Sequence, residues 1–66
     1  MYTAFCDLYT NDKFHGTICL ITTIEHDDAC MAMDSWADYP IMTTLRDFLL
    51  AQYGHVEIIA YVKKVA

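Results

Sequence analysis

The sequence predicts a small α+β domain: a three-stranded, mainly antiparallel sheet with two helices on one face, in the order β-β-α-α-β. Three observations carry that expectation. Runs with period-two alternation and β-branched or aromatic residues occupy positions 2–10, 17–25 and 56–63. A run with helical spacing and a glycine stop, Thr44–Gly54, precedes the last of them. The 66 residues contain two glycines and one proline, so no linker divides them, and positions 1–66 make a single domain.

The first strand, YTAFCDLYT, places Tyr2, Ala4, Cys6 and Leu8 on one side and Thr3, Phe5, Asp7 and Tyr9 on the other. Asn11-Asp12 supplies turn chemistry, and a loop over Asn11–Gly16 leads to a second strand, Thr17–Glu25. There Ile18, Leu20, Thr22 and Ile24 alternate with Cys19, Ile21 and Thr23. A short polar loop between two such strands predicts an antiparallel hairpin.

His26–Tyr39 lacks strand alternation. At about 100° per residue Ala29, Ala32, Met33 and Trp36 share a face, which predicts a helix ending before Pro40. Asp27, Asp34 and Asp38 fall in a stripe on the opposite face, and Asp27 and Asp28 sit where the helix dipole favours negative charge. In the next helix Thr43 and Thr44 are candidate caps, with Asp47 near a capping-box spacing and Pro40 at the entry. Leu45, Phe48, Leu49 and Tyr53 mark its apolar face, and Gly54 stands where a left-handed residue ends a helix.

After Gly54, Val56, Ile58, Ala60 and Val62 alternate with Glu57, Ile59, Tyr61 and Lys63. If hairpin and helices each run up and down, this strand pairs antiparallel with the second strand or parallel with the first. Antiparallel pairing is the commoner choice. The face under the helices then carries Ala4, Cys6, Leu8, Ile18, Leu20, Ile24, Val56, Ile58 and Val62. Trp36 and Tyr53 are expected to pack rather than to serve as anchors.

The opposite sheet face carries Phe5, Tyr9, Cys19, Ile21, Ile59 and Tyr61. A solvated face is normally polar, so this one predicts an interface. Apolar residues make up 56% of the chain, above the usual range of about 45–50%. That excess also argues for association, with Phe5, Tyr9, Ile21, Ile59 and Tyr61 as a homodimer seam.

Charge is segregated. The net charge is −5, and no Lys or Arg lies between Lys13 and Arg46, whereas Glu25, Asp27, Asp28, Asp34 and Asp38 all do. Such a surface suits a basic site on a partner protein, one that holds nucleic-acid phosphates included, and argues against this chain binding nucleic acid itself. The bland role of the same acids is solubility.

Three cysteines, Cys6, Cys19 and Cys30, have no framework spacing and read as free thiols of a reducing compartment. His26, Cys30 and His55 would meet at one sheet edge in the antiparallel arrangement above. They lack the tight spacing of a metal site, so neither metal nor cofactor is expected. No phosphate loop or nucleophile elbow is present, so an enzyme is not expected. MYTAFCDLYT has no basic n-region or apolar core of a signal peptide, and the longest apolar run is too short to span a bilayer. A cytoplasmic location and no membrane partner are the expectation.

The leading expectation is a non-enzymatic protein–protein interaction module, an inhibitor or regulator that dimerises and shows an acidic helix to a basic partner. Phage-encoded inhibitors of host nucleic-acid machinery often take this form, an analogy of size and charge that would put the chain in host cytoplasm. The alternatives are an assembly subunit using the apolar sheet face, and a small metal- or thiol-dependent regulator.

Overall fold

Strand β1, Tyr2–Thr10, is the middle of the sheet and its most buried element in a computed structural model covering residues 1–66. Its even-numbered side chains Ala4, Cys6 and Leu8 are buried under the helices. Strand β2, Lys13–Thr23, and strand β3, Glu57–Lys64, both pair antiparallel with β1, giving the order β2-β1-β3. The α+β architecture, with three strands and two helices, is the one the sequence predicts.

The neighbour of the last strand differs from expectation. β3 pairs with β1, not with β2, and it starts at the Tyr9 end of β1 where β2 finishes at the Tyr2 end. The helical layer therefore carries the chain once along the sheet instead of up and back. The reason is length: helix α1, His26–Asp34, has nine residues and rises about 13 Å, far less than a nine-residue strand. The preference for antiparallel pairing holds, and it is satisfied by the first strand.

The hairpin is tighter than expected. Asn11 and Asp12 take φ of 49° and 67°, so β2 starts at once after a two-residue turn of the kind that suits strand twist. Two irregularities in the β1–β2 ladder then absorb the broken alternation. His15 lies between the Tyr9–Phe14 and Leu8–Gly16 pairs, and Leu20 between Phe5–Cys19 and Ala4–Ile21.

The stretch expected as one helix is broken. α1 ends at Asp34, and a 3-10 turn over Trp36–Asp38 joins it to helix α2, Pro40–Tyr53. Ser35 makes the break: its hydroxyl and its N–H both bond the Met31 carbonyl, at 2.7 and 3.0 Å. α2 begins at Pro40, which fills the first helical position where a missing N–H costs nothing. Neither threonine caps it. Thr43 donates to the Pro40 carbonyl, and Asp47 pairs with Arg46. Gly54 ends the helix with φ 77°, as expected.

Alanines let α1 lie close over the strands, with Ala29 and Ala32 buried. α2 contributes Met42 and Leu49 to a cluster with Cys6 and Leu8, flanked by Ile18, Leu20, Trp36, Leu45, Val56 and Ile58. Three residues expected to pack differ, and one of them, Tyr53, is 42% exposed at the end of α2, where its ring tilts against His15. Ile24 is 75% exposed because it lies beyond the end of β2, and Phe48 is 60% exposed because the buried face of α2 runs through Met42, Leu45 and Leu49.

The molecule measures 37 × 21 × 13 Å, and its thin dimension holds one sheet and one helical layer. Its accessible surface of 4263 Å² matches the roughly 4,300 Å² of a compact protein of this mass. The exposed apolar residues are therefore not a sign of loose packing. No helix is long and apolar enough to cross a membrane.

Candidate functional site

Two surfaces carry the chemistry, one on each side of the slab. The bare face of the sheet is built from the odd-numbered side chains of β1 and their neighbours. Phe5 stacks on Tyr61 with ring centroids 5.4 Å apart, and Tyr9 tilts against Phe14 at 5.4 Å. Between these pairs Asp7 accepts hydrogen bonds from the Thr17 hydroxyl at 2.6 Å and from the Tyr61 hydroxyl at 3.0 Å. Thr3 and Thr22 share a hydrogen bond of 2.9 Å at one end of the face. Ile59, 46% exposed, stands across from Asp7.

Asp7 sets the electrostatics of this face. Burial first, then the hydrogen bond to Asp7 and its negative charge, push the Tyr61 phenol above its ordinary pKa. Burial, with a smaller push from Asp7, also raises the Cys6 thiol on the other side of the sheet. Both shifts hold the neutral form. A carboxylate with two donors is an acid that can be covered at reduced desolvation cost.

Of the residues expected to line this face, Phe5, Tyr9, Ile59 and Tyr61 stand on it with Cys19. Ile21 does not. The irregularity at Leu20 shifts the alternation, so Thr22 bonds Thr3 on the bare face and Ile21 stands across from the helix-covered Ala4. Phe14 takes a place that sequence reasoning missed. Its signal was the Asn-Asp dipeptide, which sets a two-residue turn and so puts Phe14 across from Tyr9.

The second surface is acidic. Glu25 precedes α1, Asp27 and Asp28 lie in its first turn, Asp34 ends it, and Asp38 lies in the 3-10 turn. All five are exposed, and the one ion pair of the molecule, Arg46–Asp47, involves none of them. Asp27 and Asp34 share a helix face with Met31, which is 67% exposed. Asp38 follows the break at Ser35 and so leaves the helical stripe.

The trio His26, Cys30 and His55 is not assembled. His26 opens α1 near the Tyr2 end of the sheet, with rings of Tyr2 and His26 4.9 Å apart, while His55 precedes β3 at the Tyr9 end. Strand order is the cause, since β3 runs alongside β1 and starts at the far end. Cys30 Sγ lies 3.6 Å from His26 Nδ1, one helical turn away on an exposed surface. His55 instead borders a shallow depression of about 390 Å³ with Tyr9, Asn11, Asp12, Glu57 and Ile59. A second depression of about 430 Å³ lies between β2 and α2, walled by Ile18, Leu45, Phe48 and Leu49.

Scanned against protein-family models, curated proteins and solved structures, the chain shows no match.

Proposed function

We propose that this chain is a non-enzymatic protein–protein interaction module, an inhibitor or regulator whose acidic surface docks on a basic site of a partner protein. In this reading it works as a homodimer joined through the bare sheet face. The observation that carries the proposal is the segregation of charge: five exposed carboxylates follow one another from Glu25 to Asp38 with no cation among them. Met31 in their midst supplies the apolar contact that a purely electrostatic surface lacks. A site that ordinarily holds nucleic-acid phosphates fits this chemistry, and a phage-type inhibitor in host cytoplasm is one setting for it, on size and charge alone.

A second reading, an assembly subunit in which the sheet face is the whole function, is favoured by the exposure of Phe14 and Ile59. The two readings separate in one experiment. The chain and its Asp27→Asn/Asp34→Asn/Asp38→Asn variant are immobilised, and proteins captured from cell extract are compared at low and high salt. The module reading expects a basic protein held by the parent chain at low salt and about three- to a hundredfold less by the variant, three exposed charges each contributing about 0.2–1 kcal/mol. Equal capture by both removes it.

A further inference from the structure

We infer that two copies stack their bare sheet faces about a two-fold axis that lies between the sheets and runs across the strands, so that the strands of one copy oppose the other's in direction. This rests on the homodimer reading above and adds its geometry. The argument begins with charge. Most carboxylates, Glu25 to Asp38 and Asp47, lie away from this face, and Asp7 on it is already bonded by Thr17 and Tyr61. Two free charges remain at its ends: Glu57 beside Tyr9, and Lys63 beside Thr3.

An axis across the strands brings the Tyr9 end of one copy over the Thr3 end of the other. Glu57 then faces the second copy's Lys63, twice per dimer, and Phe5 lies over the second copy's Asp7 so that the two carboxylates are staggered. An axis along the strands lays β3 over the second copy's β2. That arrangement places Glu57 over Phe14 and Lys63 over Thr22, the residues on the same rungs of the sheet. Only the first arrangement neutralises both ends.

The available area is sufficient. Nine residues at about 3.4 Å and three strands at about 4.8 Å give roughly 400 Å² in projection, and more in accessible surface, which reaches the lower end of specific interfaces. A consequence is bivalence. The helices lie outside such a sandwich, so the two acidic surfaces point away from each other and one dimer engages two partner molecules.

Dimer dissociation is measured by analytical ultracentrifugation for the parent chain, Glu57→Lys, Lys63→Glu, their equimolar mixture and the double variant. Each single reversal sets like charges together at both ends and is expected to weaken the dimer about tenfold, at about 0.5–1 kcal/mol per pair. The mixture and the double variant restore opposite charges and are expected to recover parental affinity. Glu57→Lys moves the net charge toward zero, so its weakening is not bulk repulsion. A parental dimer indifferent to the reversals overturns this geometry and leaves the homodimer reading intact. A dimer dissolved by Phe48→Asp alone puts the seam on α2 and overturns both this geometry and the sheet-face seam on which it rests. A monomeric parent overturns both.

Discussion

Asp7 is the one acid of the chain placed among aromatic rings, and it ties the outer strands to the middle one. Its bond to Tyr61 has a spectroscopic consequence. Tyr61 is expected to ionise above the ordinary tyrosine value in an alkaline titration followed by ring-carbon shifts. Asp7→Asn removes the charge and is expected to bring Tyr61 part of the way back, since burial remains. The sign for stability follows: a raised folded pKa means the contribution is complete below the ordinary tyrosine value of about 10 and fades as pH climbs through the folded value. Titration of Tyr61 at the ordinary tyrosine value, unmoved by Asp7→Asn, contradicts this role. Asp7 was legible in sequence only as a polar break in an apolar strand face. Its partners lie on β2 and β3, and no local spacing shows which hydroxyls will meet it.

Among the elements, helix ends separate what was legible from what was not. Gly54 was readable because a single residue type supplies φ 77° without strain. With open space around its Cα, Gly54→Ala is expected to cost about 1–2 kcal/mol from backbone conformation alone, seen as a lower midpoint in denaturant with unchanged slope. A cost near zero contradicts the left-handed cap. The start of α2 was not readable, because Thr43 and Thr44 mimic a cap that Pro40 makes unnecessary three residues earlier. Ser35 hid in a run with good helical spacing, since one serine bonding back to Met31 leaves no mark on periodicity. The bulges at His15 and Leu20 leave no mark on periodicity either, and the second turns Ile21 away from the bare sheet face.

Across the whole molecule, the two sides of the slab differ in chemistry. One face is apolar and aromatic and ends in opposite charges; the other carries the helices and an acidic stretch without Lys or Arg. That division was legible in sequence, because alternation reports faces and charge intervals report segregation regardless of strand order. The order itself was not, because it depends on how far α1 carries the chain, and with it went the meeting of His26 and His55. The most direct test is the solution mass of the parent chain by light scattering at low and high salt. Twice the 7.6 kDa chain mass at both salts is the expected result, because the seam is mainly apolar and its charges lie at the rim. A mass of one chain at both salts contradicts the account at its centre.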